Sequence, residues 1–502
     1  MSVDFTGKDI ISIYDLTKED IEFLIRKTEE FRKKELANER YSSGLKNKKL
    51  GLLFFEDSTR TKKSFDTAME EQGGIVYDLN IQTSSIKKHE SVRDTILMAL
   101  THHNDCLVMR HSKDGSVQWA ADVANIPVIN GGDGKNQHPT QTMLDLVTIH
   151  QILGRLDNIS IGFGGDLKYG RTAHSLPIGL SHFDNVTLHL AAPEELQMPQ
   201  ELVSNLEKRG MKIVNHDNLI DALKSVDVFY QTRPQIERMN IKEPSMIYQM
   251  MEKWKITPEV LEYIPDGKIM HPLPIDSHLE EISFAVAFSP QQFYYEQAHN
   301  GVLLRKALIH SILYQKDPVH FSGDLSDVKP SIGENKVFRE LTTLSRKDTF
   351  IDLIKNGIVI DHLEPGSSLD VLNQLNLLER GWSVFIGNNI ISRDTGKRKD
   401  MIKIIGGKLS ERDLKQMAII SPDVTINEIK EGIVMRKYQV LICGNENCIS
   451  RVITEDVPPR FYIEEKYNNK IRCRYCQSGY NRQIPYVSEE DKDKFFSMLE
   501  KK

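Results

Sequence analysis

The chain has 502 residues, of which 39% are hydrophobic and 27% charged, and its formal net charge is -6. This length is too great for a single hydrophobic core, so three or four domains are expected. The acidic balance argues against nonspecific nucleic-acid binding, because a phosphate backbone requires a basic face. We expect no membrane segment, because no apolar run reaches the roughly 18 residues that span a bilayer. The first residues also lack the pattern of a secretory signal.

Strand and helix patterns alternate through the first 315 residues. Thr17 and Asp20 form a capping box before the first helix. Buried strands are predicted at 52–55, 106–109, 127–130, 159–163, 186–190, 228–231 and 268–270. Because strands that alternate with helices form parallel sheets through right-handed crossovers, we predict two successive α/β units, 1–150 and 151–292. A helix within 293–315 closes this region and belongs with the first unit.

The pattern changes after residue 315. Residues 316–345 are rich in Gly, Pro, Ser and charge and are predicted as a linker or irregular docking segment. Strands at 358–361, 383–386, 401–405 and 424–429 then alternate with helices that begin at Ser367 and Ser410. This βαββαβ order predicts a ferredoxin-like α+β domain over 346–437. Short strands surround a group of cysteines in 438–502.

Four of the five cysteines have the spacing of metal ligands. Cys443 and Cys448 have four residues between them, Cys473 and Cys476 have two, and 24 residues separate the pairs. This spacing predicts a closed tetrahedral site that holds one structural zinc ion per chain. Four unrelated thiols are the alternative. Since no export signal is visible, metal ligation is favoured over disulfides and a cytoplasmic location is expected.

The segment FFEDSTRTKKSF at 54–65 ends a strand and begins a helix. It places Ser58, Thr59, Arg60 and Thr61 at the helix N-terminus. Free backbone N–H groups, hydroxyls and a guanidinium there can hold one anion. Taken alone, the segment could equally be an ordinary N-cap.

Three polar residues follow the next strands of the first unit: Arg110, His138 and Gln141. Open α/β sheets bind ligands at the carboxyl edge of their strands, so we expect these side chains to lie near the anion site. Alone, His138 would be interpreted as a structural hydrogen-bonding residue. The segment 84–91, with Ser84 and Lys88, would by itself be a solvated loop.

The second unit carries candidate carboxylate ligands. Its segment GGDLKYGRT at 164–172 lacks the G-x-G-x-x-G spacing, so NAD binding is not expected. Arg171 and Arg233 lie past strands, where planar guanidinium groups can clamp carboxylates, and HPLP at 271–274 ends another strand. The sequence shows no pattern for a catalytic triad, a cysteine nucleophile or a catalytic metal. Direct transfer between two bound anions is the chemistry that these residues favour.

In order and spacing, these motifs resemble the catalytic chain of aspartate carbamoyltransferases over residues 5–315, and F-x-E-x-S-T-R-T is a specific signature of carbamoyltransferases. VIDH at 359–362, GKRKDMIKI at 396–404 and the cysteines resemble the regulatory chain of the same enzymes. The resemblance implies that carbamoyl phosphate and L-aspartate give N-carbamoyl-L-aspartate and phosphate, an early step of pyrimidine synthesis. It assigns carbamoyl phosphate binding to 1–150, aspartate binding to 151–292, nucleotide binding to 346–437 and zinc binding to 438–502.

The resemblance also implies roles for individual residues. The phosphate group would be held by Ser58, Thr59, Arg60, Thr61 and Arg110. The carbamoyl oxygen would be polarised by Thr61, Arg110 and His138, and the carbamoyl nitrogen held by Gln141. The aspartate carboxylates would be bound by Lys88, Arg171, Arg233 and Gln235. An effector nucleotide would be bound by Asp361, His362, Lys403 and Lys437, with help from Lys399; surface charge on a small sandwich is the alternative for this last set.

Two further implications concern assembly and movement. Ser84 and Lys88 match a mobile loop that completes the site of a neighbouring subunit, which implies a catalytic trimer. Glu56 would pair with Arg171 and Arg238 when the two domains close. The departing phosphate is the expected proton acceptor for the aspartate amine, because no side-chain base is evident.

The chain departs from the family pattern at a few positions. Ile275 follows HPLP where the family usually has Arg, which bears on aspartate binding. Gly432 replaces a larger residue near the effector base, and Asp57 and Lys62 are lesser differences. The alternatives are a carbamoyltransferase for another amino acid such as ornithine, which would be expected to carry a Cys near HPLP, and a catalytically impaired, nucleotide-responsive scaffold, for which Ile275 is the only argument.

Overall fold

The computed structural model describes residues 3–56, 58–79, 90–236, 239, 244–314, 338–341, 356–391, 398–421, 424–431, 433–440, 443–452, 455, 457, 460–464, 470–479 and 500–501. The chain divides into two units, Met1–Lys329 and Pro330–Lys502. Among the helices of the described ranges, none is long and apolar enough to cross a bilayer.

The first sheet of the N-terminal unit is fully parallel. Its strands are β1 (Lys49–Phe54), β2 (Ile75–Leu79), β3 (Cys106–His111) and β4 (Val128–Asp133), in the order β2-β1-β3-β4. Its helices are α1 (Lys18–Leu36), α2 (Thr59–Glu70), α3 (Val92–Thr101), α4 (Ser116–Val123) and α5 (Pro139–Leu153). The predicted capping box of α1 is confirmed, since Asp20 N–H donates to Thr17 Oγ1 at 3.2 Å and Thr17 N–H donates to Asp20 Oδ2 at 3.0 Å.

The second sheet of this unit is also parallel, as predicted. Its strands are β5 (Ser160–Gly164), β6 (Thr187–Ala191), β7 (Lys212–Asn215), β8 (Val228–Gln231) and β9 (Ile269–Met270), in the order β7-β6-β5-β8-β9. Its helices are α6 (Arg171–Leu180), α7 (Gln200–Lys208), α8 (Leu219–Lys224), α9 (Pro244–Met251) and α10 (Pro258–Leu261). The predicted closing helix is α11 (Tyr294–Leu313), which returns to pack on α1, α2 and α5.

Two strands of these sheets were not predicted from the sequence. β2 and β7 are edge strands whose side chains are partly or fully exposed. A strand that is only half covered does not require the continuous apolar run by which the central strands were recognised. The centre and one edge of each sheet were therefore visible in the sequence, and the other edge, β2 or β7, was not.

The C-terminal unit contains the predicted ferredoxin-like sandwich. Its strands β11 (Asn356–Leu363), β12 (Ser383–Ile391), β13 (Arg398–Ile405) and β14 (Thr425–Lys430) are antiparallel in the order β14-β11-β13-β12, with helices α12 (Ser368–Gln374) and α13 (Glu411–Ile420). Ser410 and Asp413 form the predicted capping box of α13. Ile358 and Ile360 pack with apolar residues of both helices, so one face of the sheet is covered.

Two further strands extend this sheet beyond the predicted pattern. β15 (Ile433–Val440) pairs with β14, and β10 (Phe338–Leu341) pairs with β15. β10 lies inside the segment predicted as a linker, and β15 crosses the predicted domain limit at 437. β10 has only four residues, which leaves little periodicity to detect. The last sheet joins β16 (Phe461–Glu464), β17 (Lys470–Cys473) and β18 (Glu500–Lys501).

Candidate functional site

The predicted anion site lies at the start of α2, directly after β1. Ser58 occupies the N-cap position of α2. Its side chain accepts no capping hydrogen bond from the described residues. The N-terminal N–H groups of α2 are therefore not satisfied by that side chain, and a helix start of this kind favours anions. Thr61, in the first turn, is buried.

Two arginines from different sheets converge on Gly132. Arg110, at the end of β3, donates to Gly131 O at 3.2 Å, and Arg171, at the start of α6, donates to Gly134 O at 2.8 Å. A Cβ atom at Gly132 would lie 3.0 Å from Arg110 Nη1 and 3.1 Å from Arg171 Cζ. The backbone there has a φ of 116°, so glycine suits this position on both counts.

A second pair of arginines, one from each sheet, interacts electrostatically. Partial burial lowers the pKa of Arg60, and the positive charge of Arg233 lowers it further. Arg60 belongs to the first turn of α2 and Arg233 follows β8, so again the two sheets each supply one member. An anionic ligand bound beside these two arginines would relieve the repulsion between their like charges.

A buried carboxylate positions the two arginine-bearing loops of the second sheet. Asp166 accepts the N–H groups of Lys168 at 3.1 Å, Tyr169 at 2.9 Å and Gln235 at 2.9 Å. The first two precede Arg171 and the third follows Arg233, so one side chain joins both segments. Asp166 was not predicted as a site residue, although it lies within the motif GGDLKYGRT.

The third predicted group surrounds the start of α5. His138 is buried at the N-cap, and Gln141 Nε2 donates to Asp145 Oδ1 at 2.9 Å. Asp145 was not predicted as a site residue either. Burial raises its pKa to about 7, opposed by hydrogen bonds from Gln297, Tyr230 and Gln141.

The HPLP turn is held from inside the second sheet. His271 is buried, its Nδ1 accepts the Leu273 N–H at 2.9 Å, and its Nε2 lies 3.0 Å from Glu281 Oε1. With Nδ1 as an acceptor, the proton of a neutral imidazole lies on Nε2, on the side of the Glu281 carboxylate. Ile275, the departure from the family pattern, is partly buried against an apolar cluster that includes Ile256 and Leu261.

Some predicted site residues lie outside the described residues, and one has a different partner from those expected. Ser84, Lys88 and Arg238 lie outside the described residues. Glu56 lies 3.4 Å from Arg110 Nε in this structure, whereas its expected partners on domain closure are Arg171 and Arg238.

Two of the expected effector residues, Lys403 and Lys437, lie in one row of paired backbone positions of the ferredoxin-like sheet. Val359, Lys403, Asn427 and Lys437 occupy one row of register across β11, β13, β14 and β15. In antiparallel strands, directly opposed residues share a face; the neighbouring Ile358 and Ile360 point to the helix-covered face. Asp361 forms an ion pair with Lys399 at 2.7 Å.

The four predicted cysteines come together. Their sulfur atoms all lie within 4.8 Å of one another and the residues are buried. Cys443 Sγ is 3.4 Å from Cys476 Sγ, and Cys448 Sγ is 3.7 Å from Cys473 Sγ. A tetrahedral ion bound at about 2.3 Å requires sulfur separations of about 3.8 Å, so the cluster fits a metal. Hydrogen bonds from the neighbouring thiols, Cys443 first, lower the pKa of Cys476, whereas burial raises the pKa of Cys473.

Comparison with known proteins matches both halves of the chain. The family models for the aspartate/ornithine carbamoyltransferase carbamoyl-P binding domain and Asp/Orn binding domain match residues 8–151 and 157–312. Those for the aspartate carbamoyltransferase regulatory chain, allosteric domain and metal binding domain, match 349–441 and 436–485.

Individual relatives match the N-terminal part. The aspartate carbamoyltransferase catalytic subunit of Thermococcus kodakarensis is 43% identical over 61% of this chain and 97% of its own length, and that of Methanocorpusculum labreanum is 41% identical over 61% and 98%. The catalytic subunit of M. jannaschii aspartate transcarbamoylase has a TM-score of 0.57 at 38% identity, covering 61% of this chain and 98% of its own. The Trypanosoma cruzi aspartate transcarbamoylase, solved with carbamoyl phosphate and aspartate, has a TM-score of 0.57 at 34% identity, covering 61% and 96%.

Proposed function

The chain belongs to the aspartate carbamoyltransferase family, with the catalytic and regulatory parts in one polypeptide, and we propose that the opening between its two parallel sheets carries the reaction. The chain transfers the carbamoyl group of carbamoyl phosphate to L-aspartate, a step of pyrimidine biosynthesis. One observation carries the assignment of the site: guanidinium groups from both sheets converge there, Arg110 with Arg171 and Arg60 with Arg233.

The first sheet would hold carbamoyl phosphate. The helix start at Ser58 and Thr59, with the side chains of Arg60, Thr61 and Arg110, would bind the phosphate. Thr61, Arg110 and His138 would donate to the carbamoyl oxygen as negative charge develops on it. Gln141 would hold the carbamoyl nitrogen.

The second sheet would hold L-aspartate. Arg171, Arg233 and Gln235 would bind its two carboxylates, and Asp166 supports all three through the backbone contacts described above. The aspartate amine attacks the carbamoyl carbon, a C–N bond forms and the C–O bond to phosphate breaks. The departing phosphate takes the proton of the amine, because no side-chain base is evident among the described residues of the site.

The remaining assignments concern regulation and assembly. We propose zinc as the metal of the four-cysteine site, since four thiolates at tetrahedral spacing suit it and leave no open position for a substrate. Nucleotides are the proposed effectors of the part of the sheet that carries Asp361, His362, Lys403 and Lys437.

A catalytic trimer is proposed on the Ser84 and Lys88 motif, and a cytoplasmic location on the cysteine usage. The domain limits at 150, 292, 345 and 437 stay predictions.

The test of the site is a product assay with purified full-length protein. Carbamoyl phosphate with L-aspartate should give N-carbamoyl-L-aspartate, and with L-ornithine it should give little product. Arg60→Ala should lower kcat by roughly 10³-fold or more, because a preorganised charge aimed at the leaving group is lost.

Lys63→Ala is the matched control, since Lys63 lies on the same helix and is largely exposed. It should leave kcat within about twofold of the parent, as surface charges contribute little. Near-normal turnover by Arg60→Ala would show that the reaction takes place elsewhere on the chain.

A further inference from the structure

Asp145 is a buried carboxylate surrounded by donors. It lies on α5 one turn after Gln141, and its Oδ1 accepts from Gln141 Nε2 at 2.9 Å and from Gln297 Nε2 at 2.6 Å. Its Oδ2 accepts from the Tyr230 hydroxyl at 2.8 Å. All three partners donate, which is the arrangement that an ionised, acceptor-only carboxylate requires.

This contact fixes the orientation of the Gln141 amide with respect to Asp145. An amide side chain has one donor end and one acceptor end, and the donor end of Gln141 is engaged by Asp145. The carbonyl oxygen of Gln141 is therefore the end available to a ligand. A carbamoyl nitrogen carries only N–H donors for this purpose and needs an acceptor opposite it.

We propose that Asp145 is a positioning residue that orients the Gln141 amide, so that its carbonyl oxygen accepts from the carbamoyl nitrogen of the substrate. The inference rests on the proposed function and adds to it a reason why Gln141 prefers a carbamoyl group over a group without N–H donors. A flipped amide would present N–H to N–H, which gives no hydrogen bond.

The same carboxylate connects the two halves of the site. Tyr230 belongs to β8 of the second sheet, and Gln297, on α11, accepts the backbone N–H of His271 at 2.9 Å. The orientation of Gln141 in the first sheet is thus linked to β8 and to the HPLP turn through Asp145. The charged group that faces Asp145 from α11 is Arg305, whose positive charge favours the ionised carboxylate; Tyr230 is the other titratable neighbour.

Protonation of Asp145 should release this orientation. Burial raises the pKa of Asp145 to about 7, so its protonated fraction grows as the pH falls from 8 to 6. A protonated carboxyl is itself a donor and can face the Gln141 carbonyl oxygen, which turns the amide around. The preference for carbamoyl phosphate over inorganic phosphate should therefore weaken as the pH falls from 8 to 6.

The experiment compares carbamoyl phosphate with inorganic phosphate, a competitor that lacks the carbamoyl nitrogen. At pH 8 in the full-length protein, Asp145→Asn should raise the KM for carbamoyl phosphate about 10-fold and the Ki of phosphate less than twofold. Tyr230→Phe, which removes a donor to the other oxygen of Asp145, should change both constants less than threefold. Equal losses for substrate and phosphate in Asp145→Asn would overturn the proposal, since they would indicate a general disturbance of the site.

Two further measurements distinguish a failure of the Asp145 proposal from a failure of the proposed site. In a Gln141→Ala background, Asp145→Asn should add less than twofold to the KM; an undiminished 10-fold effect would show that Asp145 does not act through Gln141. If Gln141→Ala alone left the KM unchanged, the proposed role of Gln141 itself would fail. Should Asp145→Asn not fold, the wild-type ratio of KM to phosphate Ki decides, with both constants calculated for the dianions because phosphate itself titrates in this pH range. The ratio should rise as the pH falls from 8 to 6, and a constant ratio contradicts the proposal.

Discussion

The opening between the two sheets and the four-cysteine cluster solve the same problem, the gathering of charged groups, in different ways. The cysteines lie within the short segment from Cys443 to Cys476. The candidate active site draws on residues from Glu56 to Glu281, on loops after strands of two separate sheets. One site is local in sequence, and the other is assembled by the fold.

The source of stability differs accordingly. In the cluster, the metal supplies the attraction, because thiolates held this close repel one another without it. In the opening between the sheets, the folded protein holds arginines near one another, and buried carboxylates such as Asp166 and Asp145 keep their segments in place. The first arrangement should therefore fail when its ion is removed, and the second when a supporting side chain is removed.

The largest expected effect follows from removing a metal ligand. A structural four-thiolate zinc contributes on the order of 10 kcal/mol to its module. Cys448→Ser should therefore unfold the region from about residue 438 onward and abolish any response to nucleotides, while the catalytic activity persists. Metal analysis, limited proteolysis and assays with a panel of purine and pyrimidine nucleotides measure these outcomes.

Cys106→Ala is the control, because Cys106 is the buried cysteine of β3 and takes no part in the cluster. That variant should retain one zinc ion per chain. If Cys448→Ser lost basal activity while the rest of the chain stayed folded, the catalytic region and the four-cysteine region would not be independent.

A smaller effect is expected from breaking one member of the candidate active site. Arg233→Ala should raise the KM for L-aspartate by about 10²-fold, because a carboxylate would lose a charged hydrogen-bonding partner. The KM for carbamoyl phosphate should change less than threefold. Arg155→Ala, which removes a half-exposed arginine just before the second parallel sheet, should leave both KM values near the parental values. Equal increases for the two substrates would mean that Arg233 does not face the aspartate.

The smallest effect is expected at Ile275, where the family usually has Arg. Because Ile275 packs against the apolar cluster around Ile256, Ile275→Arg should lower the free energy of unfolding by roughly 1–3 kcal/mol. The KM for L-aspartate should stay within about threefold. Denaturant unfolding and steady-state kinetics, with Ile275→Leu as the matched control, give both numbers. A 10-fold or larger fall in the aspartate KM would place this side chain in the aspartate site.

Local patterns in the sequence were sufficient for the elements and for the cysteine cluster. The capping boxes of Thr17 and Ser410, the central strands and the closing helix all occur as predicted. Each depends on neighbours within a few residues or on one continuous apolar run. The edge strands β2 and β7 and the added strands β10 and β15 were missed, because pairing partners rather than local composition determine them.

The candidate site shows the limit of such patterns. Its motifs marked Arg60, Arg110, His138, Arg171 and Arg233 as strand-end or helix-start residues, and the resemblance implied their roles. The buried acids Asp145, Asp166 and Glu281 were not marked, because a carboxylate in a sequence does not reveal which donors surround it.

By itself, the sequence determined which groups carry charge, where helices and central strands form, and that four thiols lie close enough to share a metal. The tertiary structure alone decided that Arg110 and Arg171 meet at Gly132, that Glu56 lies against Arg110, and that Gln141 turns its amide donor toward Asp145. The physical reason is distance along the chain. Interactions between near neighbours follow from backbone geometry, whereas contacts between the two sheets exist only once both are packed, and burial then sets their strength.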